Sequence, residues 1–300
     1  MTFNKMIRSV NWHFTSKCNY NCKFCCTQKM KGEMEASLKP ENIYEKLNDL
    51  GIEKVNFVGG EPFMSPRIFE LVEKAKEMGF TTSIVTNGSL VDNEKLKRIS
   101  PYLDWIGISV DSASEIVEKK LGRGLGKHIQ NSIQVARLAE KCEIKLKINT
   151  TVTKLSINEY MGGLINELNP ERWKVFQFMH VPGQNDEACE LFSITDEEFN
   201  NYKKRNSEIR LKNGKFPVFE SSAEMLDSYF MLSPSGCVHI NTEYPGIDIP
   251  LESVTRDNIF ELINSNHYFQ RGGIYNWNGK NKNEFQQFFL FQFYTDNYSR

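Results

Sequence analysis

Six short apolar runs, each spaced from the next by a helix-like stretch, constrain this chain more than any other pattern in it. The runs are Ser9–Phe14, Lys54–Val58, Thr82–Thr86, Trp105–Val110, Lys145–Val152 and Trp173–Phe178. The amphipathic stretches are Pro40–Leu50, Ile68–Met78, Asn93–Ile99, Ile129–Lys141 and Ile157–Leu168, and Gly51, Gly79 and Pro101 stand where helix stop signals belong. Parallel strands need crossovers of helical length, and such crossovers come out right-handed. The rhythm therefore predicts an α/β fold with a parallel sheet covered by helices. Six units rather than eight predict a partial (β/α)6 TIM-like barrel over residues 1–185. Beyond residue 185 the rhythm stops. Ile194–Arg210 reads as a charged helix opened by a Thr195/Glu198 capping box, and Glu224–Met231 as a second helix after a loop at Asn213–Gly214. Residues 186–277 are expected to form an α/irregular extension that closes the barrel. Residues 278–300, aromatic and low in charge, read as an edge strand or docked tail.

Directly after the first run come Cys18, Cys22 and Cys25, in the spacing CxxxCxxC. Four thiolates saturate a tetrahedral zinc or a cubane iron–sulfur cluster, whereas three leave one iron open to a non-protein ligand. Zinc would need a fourth ligand, which His13 or Cys26 could supply, because Cys142, Cys189 and Cys237 are isolated. Cys26 adjoins Cys25, and neighbours in extended chain point to opposite sides. The spacing thus favours an open cluster over zinc or plain packing.

Composition excludes several classes. With no run of 18 apolar residues and a polar start after Met1, neither a membrane span nor a signal peptide is expected. Seven cysteines, an odd number with three clustered, fit a reducing cytoplasm better than a disulfide framework. A formal net charge of −1 argues against general nucleic-acid binding, so an anionic ligand needs a local group of cations.

Strand faces supply that group. Side chains alternate along a strand, so Lys54, Asn56 and Val58 share one face. Lys145, Lys147, Asn149 and Thr151 share another, as do Arg172, Lys174 and Phe176, and Asn11 with His13. With helices over the apolar faces, these polar faces converge inside the barrel. Lysines facing one lumen repel and lose hydration unless an anion joins them, which points to a polyanionic small molecule such as a triphosphate. Glycine motifs fall where an α/β sheet binds ligands, at the C-terminal strand ends. Gly59-Gly60-Glu61-Pro62 follows the second run, Thr86-Asn87-Gly88-Ser89 the third, and Ser109 to Ser112 end the fourth. In Gly122-Arg123-Gly124-Leu125-Gly126-Lys127 the Walker order is absent, and Arg123 reads as a fork for carboxylate or phosphate.

CxxxCxxC followed by GGEP is the signature of radical S-adenosylmethionine enzymes. The wider strings VNWHFT, KCNY, CKFC, EKVNFVGGEPF, SIVTNGSL, GRGLGK, KINT, NPERWKVFQ, MLDSYF and FQRGGIYNW together resemble the viperin family and its prokaryotic members, from about Val10 to Trp277. The resemblance implies a [4Fe-4S] cluster on Cys18, Cys22 and Cys25 whose open iron binds S-adenosyl-L-methionine. It implies that the resulting 5′-deoxyadenosyl radical takes the ribose 4′ hydrogen of a ribonucleoside triphosphate. Loss of water then gives a 3′-deoxy-3′,4′-didehydro nucleotide, a terminator of viral RNA chains. Gly59, Gly60 and Glu61 would hold the methionine amine, with Asn87, Ser109 and Arg123 toward its carboxylate and ribose. Lys54, Asn56, Lys147, Asn149, Lys174 and Arg271 match positions that grip the triphosphate, Asn11 lies near the ribose, and Tyr229 matches a tyrosine at the reacting sugar. A flavodoxin- or ferredoxin-like electron donor is implied as partner.

Departures from the animal pattern are also legible. Val58 replaces a serine before GGEP, and CVHINTEYPGIDIP carries no lysine or arginine where the animal loop is lysine-rich. CTP, UTP and GTP all remain open as substrates. A peptide-modifying radical enzyme is the alternative within the superfamily, and a non-catalytic zinc or nucleotide-binding protein the alternative outside it.

Overall fold

Each of the six apolar runs forms a strand: β1 (Ser9–Thr15), β2 (Lys54–Gly59), β3 (Thr81–Thr86), β4 (Trp105–Ser109), β5 (Lys145–Val152) and β6 (Arg172–Gln177). They pair in parallel in chain order. The computed structural model describes residues 7–27, 32–34, 38–240, 247–273 and 275–277. Between the strands run α1 (Pro40–Asp49), α2 (Ile68–Glu77), α3 (Asn93–Ile99), α4 (Glu115–Leu121), α5 (His128–Lys141) and α6 (Gly162–Leu168). α4 was not expected from the pattern. α6 is shorter than the predicted Ile157–Leu168; the backbone N–H of Met161 is instead held by Asn206 at 2.9 Å.

The apolar strand faces pack outward against the helices. Trp12, Phe14, Val55 and Phe57 are buried there, and Trp12 meets Tyr44 of α1 edge to face at 5.8 Å. Burial of such side chains contributes roughly 2–3 kcal/mol each, which fixes the register and turns the polar faces into the lumen.

The extension is woven into the same sheet, so residue 185 is not a boundary within it. After α7 (Cys189–Phe192) and α8 (Asp196–Asn206), strand β7 (Val218–Glu220) adds in parallel to β6. The Thr195/Glu198 capping box opens α8 as expected. The predicted helix Glu224–Met231 is corrected. A second capping box, Ser221/Glu224, starts the one-turn helix α9 (Ser222–Met225). The chain then turns through a positive φ at Asp227, and β8 (Met231–Leu232) pairs in parallel with β1. β9 (Val238–Ile240) and β10 (Ile247–Ile249) follow as an antiparallel pair, then α10 (Ile259–Leu262) and α11 (Ser265–Gln270). The strand order is β10-β9-β8-β1-β2-β3-β4-β5-β6-β7. Residues 278–300 lie outside the described residues, as do 241–246 of the lysine-free loop.

The extension also plugs the N-terminal end of the barrel. Tyr268 Oη accepts from the backbone N–H of Arg8 at 3.1 Å, and the Trp277 carbonyl accepts from Trp105 Nε1 at 3.2 Å and Lys145 Nζ at 3.1 Å. Arg172 donates to the Gly272 carbonyl at 3.0 Å. Trp105, Lys145 and Arg172 begin strands β4, β5 and β6, and Arg8 stands just before β1. The lumen is therefore floored at that end, and the cysteine loop stands at the other.

Candidate active site

Three glycine segments clamp the cysteine loop. The backbone N–H groups of Gly60 and Glu61 donate to the Thr15 and Lys17 carbonyls at 2.8 and 2.7 Å. A Cβ on Gly60 would sit 2.1 Å from the Lys17 oxygen, and one on Gly122 would sit 2.0 Å from the Asn21 oxygen. Only glycine permits both approaches. From the third segment, Asn87 Nδ2 donates to Asn19 Oδ1 at 2.9 Å. The motifs read separately in the sequence thus form one assembly around Cys18, Cys22 and Cys25.

All three cysteines line a single chamber of about 580 Å³, within the range of ligand-binding cavities. Burial raises the pKa of Cys18 and pushes Cys22 up to about 12, against the pull of Arg123. Thiolates at this loop therefore require cationic partners, which iron supplies on binding. Among the described residues no three His, Cys, Asp or Glu side chains converge on a single ion. Ligands of a polynuclear cluster need no such convergence, because each binds a different iron. The donor set fits an open cluster better than zinc.

Deeper in, the strand faces arrange cations in layers. Lys54 and Lys147 lie near the floor; Asn11, Asn56, Asn149 and Lys174 form the next layer. Gly107 of β4 makes room, since a Cβ there would lie 2.8 Å from Lys147 Cε. Lys54 and Lys147 are buried, and burial lowers their pKa values to about 7 and about 8, helped by repulsion from Arg172. No carboxylate pairs with either among the described residues. Lys54 donates to Tyr275 Oη at 2.5 Å and faces the Trp105, Tyr275 and Trp277 rings at 4.9–5.7 Å. Asn56 donates to Asn11 Oδ1 at 2.8 Å, while the Oδ1 atoms of Asn56 and Asn149 are buried without a hydrogen-bond partner. Cations and unsatisfied acceptors side by side suit a ligand with both phosphates and hydroxyls.

Beside them stands a group the sequence reading missed. Glu220, fully buried on β7, pairs with Lys174 and accepts a hydrogen bond from the Tyr229 hydroxyl. Burial opposes ionisation there, but Lys174 and Arg271 outweigh it and hold the carboxyl below its usual range. Lys174 Nζ also donates to Tyr229 Oη at 3.1 Å, and Arg271 stacks 3.6 Å from the Tyr229 ring while donating to the Ser228 carbonyl. Lys174, expected as a phosphate ligand, thus also has protein partners.

Asn11, Lys54, Asn56, Gly59, Gly60, Asn87, Ser109, Arg123, Lys147, Asn149, Lys174, Tyr229 and Arg271 all line the chamber with the cysteines. Glu61 does not. Its carboxylate is fully buried and accepts from Phe63 N, Thr86 Oγ1 and Asn87 N at 3.1, 2.7 and 2.8 Å. The expectation that Glu61 meets an amine directly gives way to a positioning role for Asn87 and the glycine backbone. Arg123 is paired to the buried Asp111, which also accepts from Thr151 N at 2.7 Å. His128, likewise missed, is kept neutral by burial, with a pKa lowered to about 4, and its Nε2 donates to the Ser109 carbonyl at 2.7 Å.

The family model described as the Radical SAM superfamily matches residues 12–161. An "S-adenosylmethionine-dependent nucleotide dehydratase" of Flammeovirga pacifica is 38% identical over 288 residues, covering 91% of this chain and 97% of the relative. One of the same description from a Thermoplasmatales archaeon is 34% identical, with the same coverage. In fold, the crystal structure of Streptococcus suis SuiB bound to S-adenosylmethionine is similar, with a TM-score of 0.66 at 16% identity, over 93% of this chain and 70% of that one.

Proposed function

The chain belongs to the radical S-adenosylmethionine superfamily and, within it, to the S-adenosylmethionine-dependent nucleotide dehydratases; we propose that it removes water from the ribose of a ribonucleoside triphosphate. The observation that carries this reading is one chamber holding three cysteines at its mouth and unpaired buried lysines at its floor. With a [4Fe-4S] cluster on Cys18, Cys22 and Cys25 and S-adenosylmethionine bound, the chemistry supplied is one-electron cleavage to a 5′-deoxyadenosyl radical.

The chain's own residues position and exclude. The Gly59-Gly60 backbone, Asn87, Ser109 and Arg123 hold S-adenosylmethionine against the cysteine loop. Lys54 and Lys147 grip the phosphates at the floor, and Arg271 and Lys174, the latter from the layer above and still paired with Glu220, add to that grip. Asn11, Asn56 and Asn149, a layer above, take the ribose hydroxyls and aim the 4′ C–H toward the mouth. This ordering places the reacting bond between the two anchors, as near-attack geometry requires. After hydrogen removal, the 3′ hydroxyl departs as hydroxide, takes up one proton to become water, and one electron completes the 3′,4′ double bond. Tyr229 is assigned the supply of that proton, a reading supported by its hydrogen bonds from Lys174 and to Glu220.

The finer parts of the proposal are that the substrate is CTP, UTP or GTP, that the product terminates viral RNA chains, and that the protein works in the cytoplasm. Among the described residues no helix is long and apolar enough to cross a membrane. A flavodoxin- or ferredoxin-like protein supplies the electrons. Incubation of reduced, reconstituted protein with S-adenosylmethionine and each of the four nucleoside triphosphates tests the reading. One nucleotide should strongly stimulate 5′-deoxyadenosine formation, and stimulation by none would sink it.

A further inference from the structure

The electrons must enter near the cysteines, and the surface there is charged on one side only. Residues 16–27 carry Lys17 and Lys23 and no carboxylate; residues 119–127 carry Lys119, Lys120, Arg123 and Lys127 and again none. The two segments are packed together. Lys23 N donates to the Leu121 carbonyl at 3.0 Å, Cys22 Sγ lies 3.9 Å from the Gly122 carbonyl, and Gly124 leaves room for Tyr20. Lys17, Cys18, Lys23, Lys119, Lys120 and Lys127 are exposed. Of the lysines only Lys17 has an ion pair among the described residues, with Glu33 at 3.4 Å.

Apart from Glu33 on Lys17, the carboxylates beside these two segments are turned inward. Asp111 and Glu118 are fully buried, Asp111 on Arg123 and Glu118 on the Asp111 and Ser112 amides. Glu115 accepts from the backbone N–H groups of His128, Ile129 and Gln130, capping α5. Further acidic side chains lie beyond Phe24, at Asp186, Glu187 and Glu190. In a chain with a net charge of −1, the exposed cysteine loop thus carries a local excess of cations. In the middle of the second segment Leu125 is 92% exposed, an apolar contact within a basic rim. Lysines at the C-terminal turn of α4 also suit the helix dipole, but that does not account for the inward-turned acids or for Lys23 and Lys127.

We propose that this face, Lys17, Lys23, Lys119, Lys120 and Lys127 around Leu125, docks a small acidic electron-transfer protein that passes one electron at a time to the site behind Cys18. The inference rests on the function proposed above. Electron-transfer encounters use small interfaces in which charge complementarity sets orientation and association rate, and the face lies directly over the loop the electron must reach. A nucleic acid or an anionic membrane would meet the same cations without needing them there.

The test uses anaerobically reconstituted holoenzyme and an oxidised flavodoxin of strongly negative net charge. The combined variant Lys119→Glu, Lys120→Glu and Lys127→Glu is compared with a control of equal charge on remote exposed sites, Lys97→Glu, Lys141→Glu and Lys204→Glu. The dissociation constant should rise at least about tenfold for the first and stay nearly unchanged for the second. Flavodoxin-driven 5′-deoxyadenosine formation should fall in parallel, while dithionite-driven formation and iron content stay at wild-type levels. Equal weakening by both variants would show a net-charge effect and overturn the proposal. So would loss of dithionite-driven turnover or iron in the first variant alone, which would mark a structural role. Binding of RNA or anionic vesicles through this face, with no binding of flavodoxin, would overturn it in favour of another partner. Because binding is read with oxidised flavodoxin and no nucleotide, a failure of the dehydratase reading leaves this result separately interpretable.

Discussion

Replacing Lys147 with methionine should make the ligand-free protein more stable and the nucleotide complex weaker. The ammonium is buried, has no carboxylate partner among the described residues, and is lowered by burial from 10.5 to about 8, which corresponds to about 3 kcal/mol against the charged form. The sign follows from a lowered lysine pKa. Below the folded value both states carry the proton, so the full cost opposes folding; as pH rises the folded lysine is neutralised first, and the cost fades. Methionine keeps the length and removes the charge, so denaturant unfolding at pH 7 should show a gain of about 1–3 kcal/mol. That gain should shrink below about 1 kcal/mol near pH 10. A charge-assisted bond to phosphate is worth about 1.5–3 kcal/mol, so nucleotide affinity measured by calorimetry should fall roughly tenfold to a hundredfold. A destabilised variant at pH 7, or one with unchanged nucleotide affinity, would refute the argument that this lysine is buried to bind an anion.

Three further outcomes follow from other contacts. Glu220→Gln removes the charge that offsets buried Lys174 and leaves one acceptor oxygen where Lys174 and Tyr229 used two, and it should destabilise the fold by about 3 kcal/mol in denaturant titration. Wild-type stability in that variant would mean the pair is not formed. Gly60→Ala drives a Cβ into the Lys17 carbonyl, so reconstituted iron content and S-adenosylmethionine binding should drop while the far-ultraviolet circular dichroism is retained; full iron loading would contradict the clamp. Tyr229→Phe keeps the ring on Arg271 but loses the hydroxyl. Nucleotide binding should persist, and dehydrated product per 5′-deoxyadenosine should fall at least about tenfold. An unchanged ratio would remove Tyr229 from proton delivery.

The six long strands were legible because alternation over five to eight residues, with helices between, leaves one consistent arrangement. The lumen-facing lysines and asparagines came with it. α4 was hidden because one of its two buried positions is Glu118, which leaves Leu121 as its one fully buried apolar residue in seven. β7 and β8, of three and two residues, are too short to show a period. Glu220 and Tyr275 act on Lys174 and Lys54 across long stretches of sequence, so no local pattern marks them. Glu61 looked like a ligand because it follows two glycines; the 3-10 turn at Pro62–Met64 draws its carboxylate inward as a cap.

The central claim is that the radical is aimed at the 4′ hydrogen of a nucleotide held by its phosphates at the floor of the chamber. A nucleoside triphosphate deuterated only at the 4′ position, turned over by reduced protein with S-adenosylmethionine, tests it directly by mass spectrometry of both products. The account requires one deuterium in the 5′-deoxyadenosine and a nucleotide lighter by one water and that deuterium's share. Unlabelled 5′-deoxyadenosine alongside turnover, or label retained in the nucleotide product, would contradict it.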